Sequence, residues 1–272
     1  MALTSYPFTN LTSGAANVKG AYAEIVAATP SASSRLHLEV RSTAVANLFF
    51  LIDLATGAAG AETVQVANIA INTDGEFISA AVLALDVDIP AGSRLAARCQ
   101  STSAAAPTVV VAVFLEDRPL GGLAGPVTYG TNTAASRGTQ VDPGTTINTK
   151  GSYVQLSAST TARIDALALC LTLGVSGQTL GSFTLWQVDV ATGAGGAETV
   201  VIADHIVQGS SPIDTVRPPI IRLPVSVPAG TRLAVRCQCN RNTAAERLLC
   251  VTLIGMQEPV TGGGEHAYTF VS

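Results

Sequence analysis

Two stretches of this sequence repeat each other half a chain apart. Residues 53–66 and 189–202 are identical at 10 of 14 positions, and residues 89–100 and 227–238 at 9 of 12. Solenoid repeats have periods of about 20–50 residues, whereas these stretches are offset by 136 and 138 residues. That spacing is the size of an ordinary domain. The sequence therefore predicts one domain present twice through an internal duplication.

Short strand-like segments fill both copies. Residues 35–40 alternate polar and apolar side chains, which is typical of a half-buried strand, and residues 163–173 alternate less cleanly but are equally apolar. Further apolar segments are bounded by Gly, Pro, Asn or Ser and lie at residues 48–54, 63–71, 95–100, 108–115, 183–190, 199–207, 233–239 and 248–254. This pattern predicts an all-β protein with two tandem β-sandwich domains of jelly-roll type.

Glycines and prolines mark the boundary between the two predicted domains. They are frequent at residues 118–126, so we predict a first domain at 1–122, a linker at 123–126 and a second domain at 127–272. The repeated phrases TGAAGAET and TGAGGAET each lie between two strand-like segments. A phosphate loop would need a Lys-Ser/Thr step before a helix, but a glutamate and a strand follow here. Each phrase therefore predicts a hairpin turn.

The second phrase of each copy predicts a turn followed by a strand. In the second copy the strand at 233–239 would place Arg232, Arg236 and Gln238 on one face and Cys237 and Cys239 on the other. An arginine-bearing face serves an anion, a partner or only solvent, and we favour a solvated or structural role.

Composition excludes several classes of partner. Charged residues make up 12% of the chain and the net charge is −4, with Lys19 and Lys150 as the only lysines. No basic stripe is present for a nucleic acid or an anionic membrane. The longest apolar run, residues 109–115, is too short to span a bilayer. Residues 1–10 have neither the basic nor the apolar region of a signal peptide.

Catalytic patterns are missing from the sequence. None of the three histidines, His37, His205 and His266, belongs to a recognisable nucleophile motif. An aspartate and a glutamate flank each glycine-rich turn and could approach a calcium ion, but 6–8 oxygen ligands are needed and no dense Asp/Asn run supplies them. We therefore expect no catalytic, cofactor-binding or metal-binding residues, no cofactor, and no enzymatic activity.

The five cysteines leave two alternatives open. If residues 240–247 connect two neighbouring antiparallel strands, Cys237 faces Cys250. At a non-hydrogen-bonded position the two Cα atoms would then lie about 4.5 Å apart, within disulfide range. Buried free thiols are the alternative, and we favour them while predicting that Cys237 and Cys250 are cross-strand neighbours.

Tandem β-domains rich in Ala, Gly and Thr, with a phrase such as IPAGSRLAARCQ at residues 89–100, resemble structural proteins of tailed-bacteriophage virions. The resemblance covers about two thirds of the chain and rests on composition and the two phrases. It implies a non-catalytic building block of the virion that decorates or reinforces the capsid. A collar, tail or baseplate component is the alternative within this class.

We expect the partners to be further copies of the chain and other virion proteins, such as the major capsid protein. A chain with so few charges has little to cover its surface. We therefore predict a homo-oligomer, a closed ring and most simply a trimer, held by small and apolar side chains. A glycan-binding module is the second hypothesis, although Trp186, the single tryptophan, lies in an apolar segment and is expected in the core.

Overall fold

A computed structural model describes residues 3–42, 48–73, 81–175, 178, 180, 183–210, 215–217 and 220–257 of the chain. The strands of the first half are β1 (Leu3–Ser5), β2 (Thr9–Thr12), β3 (Ala23–Val26), β4 (Ser33–Ser42), β5 (Leu48–Thr56), β6 (Thr63–Thr73), β7 (Ala81–Ile89), β8 (Leu95–Ser101) and β9 (Thr108–Glu116). His266 lies outside the described residues. None of the described helices is long and apolar enough to cross a membrane.

The second half repeats this order with a few additions. Its strands are β10 (Val127–Tyr129), β11 (Thr131–Asn132), β12 (Arg137–Val141), β13 (Val154–Ser157), β14 (Ile164–Leu173), β15 (Thr184–Thr192), β16 (Thr199–Ser210), β17 (Thr215–Arg217), β18 (Ile220–Val227), β19 (Leu233–Cys239) and β20 (Leu249–Met256). A 3₁₀ turn, Thr133–Ala135, precedes β12, and a one-turn helix α1, Ala244–Arg247, precedes β20.

Each half is a sandwich of two antiparallel sheets. In the first half, sheet I has the order β1/β2-β9-β4-β7 and sheet II the order β3-β8-β5-β6. In the second half, sheet III has the order β10/β12-β20-β14-β18, with β11 beside β12, and sheet IV the order β13-β19-β15-β16-β17. Both halves therefore have the strand order of one jelly roll, which confirms the all-β class and the duplicated sandwich. The domain bounds at 1–122 and 127–272 stay a prediction.

Repeated phrases form the same turns in both halves. Gly57 and Gly60 have φ values of +108° and +82° in the β5–β6 hairpin, and Gly193 and Gly196 have +99° and +83° between β15 and β16. An L-residue rarely adopts such angles, so glycine is needed there. The hairpin prediction is confirmed.

A buried interface joins the halves. Ala166, Ala168 and Cys170 of β14 and Ile254 and Met256 of β20 belong to the hydrophobic cluster that fills the first half. These side chains alternate with leucines that fill the core of the second half, such as Leu167 and Leu169. Sheet III is thus buried on both faces, one in its own sandwich and one against sheet II.

The predicted cysteine pair is wrong. Cys237 lies opposite Val188 in sheet IV, whereas Cys250 lies opposite Thr172 and Gln140 in sheet III. The connection through α1 crosses from one sheet of the sandwich to the other instead of closing a hairpin. All five cysteines are buried and free. Burial raises the pKa of the Cys99 and Cys250 thiols to about 12 and that of Cys239 to about 11.

Candidate functional site

The residues common to both halves form a charge cluster on the outer face of sheet II and again on sheet IV. Cluster 1 consists of Lys19, Tyr22, Asp53, Asn68 and Arg98. Asp53 is 3% exposed. Its Oδ1 accepts hydrogen bonds from Lys19 Nζ at 2.7 Å and from the Asn68 backbone N–H at 2.9 Å, and its Oδ2 accepts one from Arg98 Nε at 2.9 Å.

Cluster 2 has the same geometry with Lys150, Tyr153, Asp189, Asp204 and Arg236. Asp189 Oδ1 accepts from Lys150 Nζ at 2.6 Å and from the Asp204 N–H at 2.9 Å, and Oδ2 accepts from Arg236 Nε at 2.9 Å. The guanidinium groups also stack on tyrosine rings, Arg98 at 4.5 Å from the Tyr22 centroid and Arg236 at 4.4 Å from that of Tyr153. Such cation–π contacts stabilise the stacked pair.

Backbone irregularities place these side chains. Asn68 and Asp204 have φ values of +57° and +51°, and each lies in a bulge opposite the buried aspartate. A bulge leaves its extra residue unpaired in the ladder, so that N–H is available to the carboxylate. A Cβ at Gly20 would overlap the Thr12 carbonyl oxygen, and one at Gly151 would lie 2.8 Å from Asp142 O. Glycine therefore lets the lysine-bearing segment run close against the sheet.

The two clusters differ at one position. Lys150 Nζ lies 2.6 Å from Asp204 Oδ1, whereas Asn68 supplies no second carboxylate to Lys19. Burial lowers the pKa of the Lys19 ammonium below its ordinary value, and Asp53 only partly opposes this. Burial acts in the same direction at Lys150, but the hydrogen bonds that its ammonium donates to Asp189 and Asp204 outweigh it and raise the pKa. The two lysines thus have opposite pKa shifts, and Asp204 contributes to the upward shift at Lys150.

The turn glutamates bind arginines. Arg94 Nη1 donates to Glu62 Oε1 at 3.1 Å and to Gly57 O at 3.1 Å, and Arg232 Nη1 makes equivalent bonds to Glu198 and Gly193. The aspartate and glutamate of each turn therefore bind different cations instead of sharing a calcium ion. In the described part of the chain, no group of three or more His, Cys, Asp or Glu residues could hold a metal ion.

The arginine-bearing face predicted from the sequence binds residues of its own half. Arg236 and Gln238 lie on the outer face of β19 and bind Asp189 and Gln187 of β15. Arg232 directly precedes β19 and binds Glu198 in the β15–β16 turn. The arginines are therefore structural, as favoured from the sequence. Sequence reasoning noted the two lysines, the two aspartates and the arginines separately but did not combine them. The recurrence of these residues in both copies was the sequence signal that could have revealed the cluster.

Comparison with known proteins gives no family. No protein-family model matches the chain, and no curated protein does. Among solved structures, PNGF-II is similar with a TM-score of 0.42 and 9% identity over 93% of this chain, which spans 65% of that chain's length. Recombinant N-glycanase F (PNGase F) has a TM-score of 0.42 and 7% identity, covering 93% of this chain and 96% of its own. The tandem CBM22 domains of Paenibacillus barcinonensis Xyn10C have a TM-score of 0.28 and 11% identity, with 94% and 93% covered.

One prediction is corrected by these matches. The absence of enzymatic activity was predicted from missing catalytic motifs, but the PNGase F structures among these matches are of an asparagine amidase. The statement that the chain is not an enzyme is therefore withdrawn. At 7–9% identity and a TM-score of 0.42 or lower, the likeness assigns no activity to this chain.

Proposed function

We propose that this protein is a structural component of a tailed-bacteriophage virion, which decorates or reinforces the capsid as a homo-oligomer. One observation carries the proposal: the residues repeated in both halves are bound to one another, while exposed apolar side chains gather on free sheet faces. Clusters 1 and 2 direct their carboxylates to lysines and arginines of the same half. Repeated residues that hold a scaffold together are what a building block needs.

Exposed side chains supply the second part of this support. Leu185 and Ile206 on sheet IV are 41% and 60% exposed, and Phe183, directly before β15, is 63% exposed. Leu3 and Val82 on sheet I are 59% and 58% exposed, and Phe8, directly before β2, is 50% exposed. Contiguous exposed apolar surface marks sites of protein association. In a chain with 12% charged residues, such surfaces suit assembly into a particle.

Particle labelling tests this proposal. Antiserum against the purified protein would be applied to particles released from cells that carry the gene, with pre-immune serum as the control. We expect regularly spaced gold labels on the capsid in electron micrographs. Labels confined to the collar, tail or baseplate would move the protein to that part of the virion. Purified particles without label or immunoblot signal would contradict a virion role.

A second candidate function has its own observation. A concavity of about 140 Å³ on sheet IV is lined by four residues with side-chain amides, Asn148, Gln187, Gln238 and Asn240, and by Leu185, Trp186, Ile206 and Cys239. Amides both donate and accept hydrogen bonds, as sugar hydroxyls require. Trp186, in contrast, is fully buried and is not available for stacking. Glycan-array binding that is lost on Gln187→Ala would favour this candidate, and an array without signal would remove it.

A further inference from the structure

Structurally equivalent faces of the two halves have different surroundings. On the outer face of sheet II, Phe49, Leu51 and Ala70 are 2%, 0% and 2% exposed because sheet III covers them. The strand register makes Leu185 the equivalent of Phe49, with 41% exposure, and Ile206 the equivalent of Ala70, with 60%. The same face is thus an interface in one half and uncovered in the other.

The covered face shows how such a contact is made. Gln100 Nε2 donates to Thr133 O at 2.7 Å and to Ser136 Oγ at 2.9 Å, across the boundary between the halves. Ser136 Oγ in turn donates to Asn17 Oδ1 at 2.8 Å. In the second half the equivalent Gln238 donates to Gln187 of its own sheet instead. The segment that makes these hydrogen bonds to sheet II is the 3₁₀ turn between β11 and β12.

Sheet I is the counterpart of sheet III in the first half, and side chains on its outer face are exposed as well, except at β7, where Asp86 is buried and pairs with Arg222 of β18. Val82 lies beside Glu39, and the Arg41 guanidinium stacks 4.2 Å from the centroid of the Phe8 ring. Arg41 and His37 pair with Glu39 and Glu116 on this face. Sheet I therefore presents apolar side chains between ion pairs, whereas the covered face of sheet III is apolar.

Sheets II and III have similar polarity on their facing surfaces, and so do the outer faces of sheets IV and I. Within the chain, Leu51 and Ala70 of sheet II meet Ala168 and Cys170 of sheet III, all nearly inaccessible to water. On the free ends, sheet IV replaces Leu51 by Gln187, and sheet I carries His37 and Glu39 at the positions of Ala168 and Cys170. A mixed surface facing a mixed surface is usual for an interface whose partners also exist apart.

We propose that sheet IV binds sheet I of a second copy of this chain, head to tail, by repeating the contact between sheets II and III. This inference rests on the proposed function and names the surfaces of its homo-oligomer. A contact between two different faces is heterologous, so it closes into a ring or continues as a filament. The ring expected from the sequence corresponds to the closed case.

Two single variants test the pairing of the faces. Ile206→Arg places a charge on sheet IV and Val82→Arg places one on sheet I, while Leu120→Arg, 46% exposed on the connecting segment, is the matched control. Sedimentation velocity at micromolar concentration would give the oligomeric state of each. We expect an oligomer for the wild type and for Leu120→Arg. Each face variant should weaken association about 100-fold or more, because an unpaired charge is then buried.

Mixing the two face variants makes the test specific. Each retains one intact face, so a 1:1 mixture should form a dimer that contains one copy of each and goes no further. Circular dichroism and thermal unfolding would establish that both variants are folded, and Leu185→Arg provides a second sheet IV variant.

Other outcomes overturn the inference. Loss of assembly with Ile206→Arg but not with Val82→Arg would mean that sheet IV pairs with itself. Assembly that survives both variants would place the contact elsewhere. A monomeric wild type would also overturn it, and one that binds glycans at sheet IV would show a different occupant. Particle labelling could still support the proposed function in these cases, so the two failures are distinguishable.

Discussion

Strands β4 and β14 occupy the same position in their two jelly rolls but have different outer faces. In β4 the outward side chains include Arg35, His37 and Glu39, which pair with charged neighbours. In β14 the equivalent side chains are Ala166, Ala168 and Cys170, buried against the first half. The inward side chains Leu36, Leu38 and Val40 of β4 correspond to Leu167, Leu169 and Leu171 of β14. The duplication thus kept the core and changed the outer face according to what covers it.

The largest effect on stability is expected when arginine is placed at equivalent positions of β14 and β4. Ala168→Arg would bury an unpaired guanidinium and overfill a site that has no accessible surface, so we expect a loss of about 3 kcal/mol or more in the free energy of unfolding. His37→Arg puts the same side chain on the half-exposed face beside Glu116, and the expected change is within about 0.5 kcal/mol. Urea unfolding of both variants measures the difference.

Circular dichroism at zero denaturant checks that both proteins begin folded. Equal losses for the two variants would contradict the assignment of β14 as a strand buried on both faces. A small loss for Ala168→Arg would mean that the halves separate easily in solution.

This strand pair also shows how far the sequence could be interpreted. Alternation in β4 and continuous apolar character in β14 both predicted strands, and the structure confirms them. The continuous apolar pattern of β14 also indicated a covered outer face, because a strand with a solvated outer face needs polar side chains there. Only the fold could show which surface covers Ala168. Short edge strands such as β3 and β13, with 4 residues each, are too short to show a periodicity of apolar side chains.

The cysteine prediction failed for a topological reason. Strands β19 and β20 follow each other in sequence, and sequential strands often pair in a hairpin. In a jelly roll these two strands lie in different sheets, so Cys237 and Cys250 never face each other. The register argument was sound for a hairpin, but neither Cys237 nor Cys250 carries information on which sheet its strand joins.

A second comparison concerns the buried aspartates of clusters 1 and 2. Asp53→Asn would leave the Lys19 ammonium and the Arg98 guanidinium without a carboxylate, and we expect a loss of about 3 kcal/mol. After Asp189→Asn, Lys150 still has Asp204 at 2.6 Å, so the expected loss is smaller, about 1–2 kcal/mol. Thermal and urea unfolding would measure both.

The double variant Asp189→Asn/Asp204→Asn sharpens this comparison. It removes the second carboxylate and should bring the loss to the level of Asp53→Asn. If Asp53→Asn and Asp189→Asn lower the free energy of unfolding equally, the contact between Lys150 and Asp204 does not contribute to stability in solution.

The smallest expected effect concerns Lys19 and Lys150, which are the only lysines in the chain. Their side chains are similarly exposed, 17% for Lys19 and 21% for Lys150, so access alone predicts similar acylation rates. Only the neutral amine reacts with an acylating reagent. Because burial lowers the pKa of Lys19 while Asp189 and Asp204 raise that of Lys150, Lys19 carries more neutral amine at any pH below both values. We expect faster modification of Lys19, measured at pH 8–9 by peptide mass mapping.

Exchanging the one residue that differs should remove this preference. Asn68→Asp gives Lys19 a second carboxylate, raises its pKa and slows its acylation, because the ammonium then gains the partner that Lys150 has in Asp204. Asp204→Asn should have the opposite effect and accelerate modification of Lys150. The positive φ at both positions suits Asn and Asp alike, so neither exchange strains the bulge. Equal rates in the wild type would contradict a pKa difference between the two lysines. If the exchanges leave unequal rates unchanged, the burial of Lys19 and not the second carboxylate distinguishes the two clusters.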